Sequence, residues 1–592
     1  MHISSMIPAN ARARAQANVA DYSAECAQFS WEAAFRRLAF LPSGGINMGY
    51  EAIDRHVLEG RGDEVALRWL GGDGSRLEFT YRDFEARTNQ VANALQKLGV
   101  ESGDHVYTLL GRVPALYFMV LGALKAGAVV TPLFSSFGPE PVLTRLNRGK
   151  AKALLTSRRL YDRTVASIRE RATDLEHVLI TDDICGSEGL LQFDHLVEPS
   201  DTRFSIAPTD PEHPALLHFT SGTTGVPKGA LHVHAAICAH RETARVALDL
   251  KPDDVFWCTA DPGWVTGTSY GILAPMALGA TVLVTEAEFD TTEWYRTLER
   301  ERVTVWYTAP TAIRRLMRSG ASEAQRFDLS ALRFIASVGE PLNPEAVTWG
   351  VEAFGIPIHD NWWQTETGGI MIANLAACDV FPGSMGRPLP GITAAVLRRR
   401  EDGEIARTGG EVEQISDPDE EGELALRAGW PSMFRSYVDN QERYDKCFRD
   451  DWYLTGDIVR RDRNGYYWFV ARGDDVIKTS GHLVGPFEVE SALLEHPAVA
   501  EAAVIGIPDP IAGNVVKAFV SLRDGYDPSD SMRQDLMAFA RHRLGAVIAP
   551  RSIEFSNDIP KTRSGKVLRR LLRARTLGLP EGDLSTLEVS HP

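Results

Sequence analysis

Thr220, Ser221, Gly222, Thr223, Thr224, Gly225, Val226, Pro227, Lys228 and Gly229 form one hydroxyl- and glycine-rich segment that closes on a lysine. Gly222 and Gly225 permit positive φ and can turn successive backbone N–H groups toward one anion; Ser221, Thr223 and Thr224 add hydroxyl donors and Lys228 a point charge. The ligand that suits such a loop is a polyphosphate, ATP foremost. A Walker loop requires Gly-x-x-x-x-Gly-Lys-Ser/Thr, whereas Pro227 stands in place of the second glycine and Gly229 follows the lysine, so this is not a P-loop NTPase. An ordinary turn between two strands would share this composition, and the loop alone leaves both readings open.

Other chemistry-bearing residues sit just after short apolar runs: Asp261-Pro262-Gly263-Trp264, Gly339-Glu340-Pro341, and Asp360 through Thr367. Runs at 254–260, 281–285, 303–307, 332–338 and 356–359 alternate with helical patterns such as 292–301, which predicts α/β layers. Open α/β sheets hold ligands beyond the carboxyl ends of their strands, so these segments should share one cleft. Phe84, Val91, Leu95 and Leu98 recur at near-helical spacing up to Gly99, and 129–133 reads as a strand. The charged, turn-rich stretch 398–423 predicts a small β-rich section ahead of Gly456 and Asp457. Beyond Arg472-Gly473-Asp474-Asp475 the pattern changes to strands at 501–507, 515–521 and 552–555 around a helix at 531–544, a separate α+β unit. It ends in a basic run, Lys561, Arg563, Lys566, Arg569 and Arg570, which by itself reads as solvated surface.

At 592 residues the chain exceeds one hydrophobic core, and its formal net charge of -16 disfavours nucleic acid and anionic membranes as partners. Six dispersed cysteines contain no CxxC pair, which indicates neither a zinc site nor a disulfide framework and fits a reducing compartment. Residues 1–20 lack the apolar core of a secretory signal, and the apolar stretch 113–134 is interrupted by Gly122, Lys125, Gly127 and Pro132. The expectation is a cytoplasmic protein with no membrane span. His232, His234 and His240 lack cysteine or carboxylate companions at ligand spacing and are expected to be structural.

Five segments in this order, 220–229, Gly339-Glu340-Pro341, 360–368, Tyr453-Leu454-Thr455-Gly456-Asp457 and 472–566, resemble the adenylate-forming acyl-CoA synthetase superfamily over nearly the whole chain. Trp264-Val265-Thr266-Gly267, Ser337-Val338-Gly339-Glu340-Pro341 and Asn361-Trp362-Trp363-Gln364-Thr365-Glu366-Thr367 are more specific and are similar to its acetate–CoA ligase branch. The resemblance implies an α/β fold with a large N-terminal adenylate-forming domain of layered sheets and helices, residues 1–473. A small mobile C-terminal α+β domain, 474–592, would rotate about a hinge at Asp474. It also implies a two-step reaction: acetate attacks the α-phosphorus of ATP to give acetyl-adenylate and pyrophosphate, then coenzyme A displaces AMP.

The implied catalytic residues are Lys566, Glu366 and Thr223, with Glu366 also binding Mg2+ and Thr365 near the α-phosphate. Thr220 and the loop, Lys228 included, would serve the β- and γ-phosphates. Gly339, Glu340, Pro341, Asp360, Asn361 and Trp362 would form the adenine slot through backbone contacts and a stacked ring, with Trp363 and Gln364 adjoining. Asp457 would accept from both ribose hydroxyls, assisted by Arg472, although the two could equally be a structural ion pair. Trp264, Val265, Thr266, Val338 and Trp363 would enclose the acyl group, the Trp363 indole leaving room for little more than a methyl. Thr266, Ser480, Arg541 and Arg158 or Arg159 would meet coenzyme A, and backbone at Leu494, His496 and Val499 a cation. Lys566 would further be a site of acetylation, with a lysine acetyltransferase and a deacetylase as partners. One departure is Leu483, where the best-known acetate enzymes carry an arginine that meets the nucleotide phosphates; either Arg472 and Lys478 compensate or adenylation proceeds without that contact.

Three rivals are separable. A substrate screen by pyrophosphate release separates a ligase for propionate or a short branched acid, against which Trp363 argues, although one methylene is worth only ~1–3 kcal/mol and leaves acetate and propionate both open; a non-catalytic nucleotide-binding module should lack Lys566, Glu366 or Asp457; transfer to a carrier-bound thiol would make activity depend on a carrier protein.

Overall fold

The structure, a computed structural model, describes residues 6–9, 11–182, 189–220, 227–400, 402–479, 482–510, 512–546, 548–562, 566–581, 584 and 587. The chain folds as an α/β protein with a large N-terminal part built on several sheets and a small C-terminal part.

Two large sheets carry the N-terminal part. The nine-stranded sheet has a parallel centre, Ile358–Trp362, Phe334–Ser337, Val305–Thr308, Val255–Cys258, Thr281–Thr285 and Val65–Leu70 in spatial order, with antiparallel strands at both edges. Val305–Thr308 and Phe334–Ser337 are short and buried along their whole length, so no polar alternation is needed in them, whereas Ile358–Trp362 is equally buried but carries His359, Asp360 and Asn361. The eight-stranded sheet includes Pro214–Thr220, Lys228–Val233, Val129–Phe134, His105–Leu110 and Ala151–Thr156. Its first two strands pair antiparallel with Thr220 opposite Lys228, which fixes the two residues on either side of 221–226.

A five-stranded antiparallel sheet follows, with Trp452–Arg461 between Glu421–Arg427 and Tyr467–Arg472. Its register sets Asp457 directly across from Arg472. The small part has its own sheet, in which Ile477–Thr479, Val499–Asp509, Gly513–Leu522 and Ser552–Phe555 take part, and helices Pro486–Leu494, Asp530–Leu544 and Arg569–Leu577. It also has its own core, including Val489, Leu493, Val504, Val516, Val520 and Leu536.

The expected strands at 281–285 and 552–555 match to the residue, and the others within a few positions. The apolar stretch 113–134 is the helix Pro114–Lys125 followed by the strand Val129–Phe134, and no described helix is long and apolar enough to cross a membrane. The helix Tyr81–Lys97 starts on a capping box between Thr80 and Asp83. The basic run near the C-terminus departs from its surface reading: Arg569–Leu577 is a helix that buries Leu571, Leu572 and Ala574, and Arg569 bonds both oxygens of the Glu490 carboxylate at 2.7 and 2.6 Å.

Candidate active site

The carboxyl ends of the parallel strands Val255–Cys258, Val305–Thr308, Phe334–Ser337 and Ile358–Trp362 open together into a cleft of about 1680 Å³. Its large-part wall includes Thr220, Lys228, Trp264, Val265, Thr266, Val338, Gly339, Glu340 and Pro341. Asp360, Asn361, Trp362, Trp363, Gln364, Thr365, Glu366, Asp457 and Arg472 continue that wall, and Asp474 and Lys566 close it from the C-terminal side. Thr220 and Lys566, 346 residues apart in sequence, thus face one space. Gly339 has φ +107, a conformation that side chains rarely adopt, so the turn at the strand end needs glycine.

Asp457 is the most firmly held group. Its Oδ2 accepts from the Trp362 indole at 2.9 Å and from the Gln364 amide at 3.0 Å, and Arg472 Nη1 lies 3.0 Å from Oδ1. The ion pair foreseen as an alternative is therefore present, in a carboxylate that also lines the cleft. Tyr453 donates to Gln364 at 2.8 Å, which fixes the amide that reaches Asp457. The Trp362 indole packs with Met371 and Tyr467 and donates its N–H to Asp457 while still lining the cleft. Burial pushes the Asp360 carboxyl up to about 8, despite N–H donors from Leu342 and Asn361. Glu340 accepts from Thr311 at 3.0 Å and from Arg314 at 2.5 Å.

Near Lys228, Glu366 accepts from the Tyr437 hydroxyl at 2.6 Å, and the Lys228 ammonium lies 5.1 Å from the centre of the Tyr437 ring. Burial lowers the Lys228 pKa while Glu366 opposes the shift. The Glu366 carboxylate is a hard oxygen donor beside this lysine, a fit for Mg2+ together with phosphate oxygens. Lys566 makes no side-chain hydrogen bond or ion pair among the described residues, and burial followed by the Arg472 charge lowers its pKa, against Asp457 and Asp475. Its side chain is nevertheless open to solvent, as expected for a group inside a wide cleft.

Beside Val338, Trp363 packs with that residue and with Tyr270, Tyr307 and Cys258. Its indole meets Tyr270 edge-on at 5.1 Å and donates to Tyr307 at 3.2 Å. Trp264 is edge-on to Phe134 at 4.9 Å.

Ser221, Gly222, Thr223, Thr224, Gly225 and Ser480 lie outside the described residues, as do the side chains of Lys478 and Leu483. Arg159 lines the cleft, together with Arg163, which sequence reasoning passed over. Arg158 instead pairs with Asp162 at 2.9 Å, and Arg541 is exposed on the helix Asp530–Leu544 away from the cleft lining. Leu494 borders the cleft, but His496 and Val499 do not; the His496 carbonyl accepts from Val499 N–H at 3.0 Å and its ring faces Asp535. His232, His234 and His240 are buried, and burial pushes them down to about 4, 3 and 3, so they are neutral. His232 and His240 bond to the carbonyls of Ser432 and Gly368, and the described residues contain no cluster of three metal-ligating side chains. Tyr437 and Tyr307 are the residues missed, and nothing local in the sequence signalled either contact.

Two family models match the chain: the AMP-binding enzyme model over residues 54–438 and the AMP-binding enzyme C-terminal domain over 488–566. Acetyl-coenzyme A synthetase of Bacillus subtilis (strain 168) is 44% identical over 575 residues, covering 96% of this chain and 98% of that protein. Acetyl-coenzyme A synthetase of Deinococcus radiodurans is 39% identical, covering 92% of this chain and 86% of that one. Among solved structures, an acyl-CoA synthetase of Brucella canis is 35% identical with a TM-score of 0.72, covering 94% and 99% of the two chains. The anthranilate CoA ligase AuaEII in complex with anthranoyl-AMP has a TM-score of 0.81 at 29% identity, covering 92% and 98%.

Proposed function

Because this chain belongs to the AMP-binding enzyme family, with acetyl-coenzyme A synthetases among its relatives over nearly its whole length, we propose that its cleft makes acetyl-CoA from acetate, ATP and coenzyme A. The observation that carries the reading is the convergence of Lys566, Asp457, Glu366 and Trp363 on one cleft. Acetate is a poor electrophile; joining it to AMP supplies a leaving group that the thiol of coenzyme A then displaces.

The residues divide the work. Asp457, fixed by Trp362, Gln364 and Arg472, accepts from the ribose hydroxyls and sets the nucleotide's position. Lys228 and Thr220 attract the terminal phosphates. Glu366, held by Tyr437, would take Mg2+, which when bound neutralises phosphate charge. Lys566 bridges the acetate carboxylate and the α-phosphate as negative charge builds between them. Its lowered pKa belongs to the cleft without its anions, and two bound anions raise it again. Trp363 ends the acyl pocket, with Val265, Thr266 and Val338 as its other walls.

Residues 474–592 then turn about Asp474, which withdraws Lys566 and admits the thiol. Arg159 and Arg163 receive a phosphate of coenzyme A, and the protein works in the cytoplasm, where Lys566 is open to acetylation. A panel of acids from two to six carbons, followed by pyrophosphate release, tests the pocket. The highest kcat/KM is expected for acetate, and Trp363→Gly should shift preference to four- to six-carbon acids. Equal rates for acetate and butyrate in the unaltered protein would overturn the assignment.

A further inference from the structure

We infer that Tyr307 is the positioning residue that sets the acyl-length limit, because its hydroxyl both fixes the Trp363 indole and ties that wall to the nucleotide slot. The inference rests on the reading of Trp363 as the end of the acyl pocket. Tyr307 belongs to the strand Val305–Thr308 at the centre of the nine-stranded sheet and is fully buried. An indole N–H can only donate, so at 3.2 Å the Tyr307 oxygen must accept from Trp363. The tyrosine's own proton is then left for Asn361 Oδ1, 3.0 Å away.

That chain of donors settles two orientations together. It turns the Asn361 amide so that its oxygen faces Tyr307, and leaves Asn361 Nδ2 buried with no partner among the described residues, in a side chain that lines the nucleotide end of the cleft. It also fixes the indole, which is only half-buried and follows the strand Ile358–Trp362 rather than lying within it. Tyr270, whose ring stands against the indole, is itself held by Thr243 and by Ile370 N–H, each at 2.7 Å. Edge-on contact with Tyr270 limits tilt, and the Tyr307 bond limits rotation in the ring plane.

Rejecting one methylene is worth only about 10–200-fold, and it requires a wall that does not yield. Loss of one neutral hydrogen bond therefore has a measurable consequence, a fall of roughly 3–10-fold in the acetate-to-propionate ratio of kcat/KM. The ratio separates positioning from general damage, since a partly unfolded enzyme loses activity toward both acids alike.

The test compares Tyr307→Phe, Trp363→Phe and the double variant, with Trp363→Gly as a control on the pocket itself. The ratio should fall in Tyr307→Phe, and adding Tyr307→Phe to Trp363→Phe should change it no further, because the donor is already gone. A wild-type ratio in Tyr307→Phe, or an equal extra fall in the double variant, would overturn the inference. If Tyr307→Phe fails to fold, Trp363→Phe removes the same bond from its other end, and an unchanged ratio there overturns it too. Should Trp363→Gly itself stay restricted to acetate, the pocket reading falls and this inference with it. Should Trp363→Gly accept longer acids while Tyr307→Phe keeps the full ratio, only the role of Tyr307 is lost.

Discussion

Lys566 is placed by charge rather than by bonds: its ammonium has no described partner, but Asp457 and Asp475 pull on it against Arg472 and the loss of water. A lysine held in this way is available to two incoming anions. Lys566→Gln should slow acetate-dependent pyrophosphate formation by about 10²–10³-fold, while thioester formation from supplied acetyl-adenylate stays within a few-fold. Equal loss in both half-reactions would assign the lysine to folding or to general docking instead. That Lys566, Glu366, Asp457 and Trp363 meet at one cleft could be anticipated from sequence because each sits in a short motif resembling those of one family. Tyr437 and Tyr307 could not, since they act on Glu366 and Trp363 across 71 and 56 residues, and only the folded sheets bring them together. Nothing in Asn361-Trp362-Trp363 says that the first indole donates to Asp457, 95 residues away, and the second to Tyr307.

The helices Pro310–Arg318 and Pro344–Phe354 form the ledge on which the small part rests. Arg318 pairs with Glu501 at 3.1 Å and Asn343 bonds Ser491 at 3.1 Å across that contact. Between them a small cavity is lined by Arg314, Arg318, Asn343, Glu345, Leu494 and Arg523. One Glu345 oxygen is buried there with no described partner, and burial raises this carboxyl to about 7, with Glu495 adding to the shift and Arg543 opposing it. A carboxyl raised in the docked arrangement binds its proton more tightly there. Docking is therefore favoured below the ordinary carboxylate range and loses that contribution as pH rises from about 4.5 to about 7. Glu345→Gln should flatten the fall in pyrophosphate formation over this window relative to the unaltered protein; an identical pH profile would show that Glu345 does not report on docking. At this scale the central strands were legible because a strand buried on both faces is a short apolar run between turns. The helix Arg569–Leu577 was not: its arginines hide the buried Leu571, Leu572 and Ala574, and its reason for being basic, the Glu490 carboxylate, lies 79 residues away.

Across the whole molecule, the cleft belongs to both parts of the chain. The large sheets supply one wall from the ends of their parallel strands, and the small part supplies Lys566 from beyond Asp474. Such a division suits two reactions in one place, because the group that serves the first can leave before the second begins. The net charge of -16 sets a general repulsion toward anionic substrates, so the basic residues lining the cleft, Lys228, Arg159, Arg163, Arg472 and Lys566, must draw them in locally. The α/β layering and the change of pattern after Arg472 were visible in sequence, whereas the contact surface between the two parts was not, being made of isolated polar residues with no local pattern. The most direct test of the account is AMP formation from acetate and ATP, measured with and without free coenzyme A and with no carrier protein present. Rapid, stoichiometric AMP and acetyl-CoA on addition of coenzyme A, with only slow AMP release in its absence, is the expected result; AMP formation indifferent to coenzyme A, or no consumption of ATP with acetate, would contradict it.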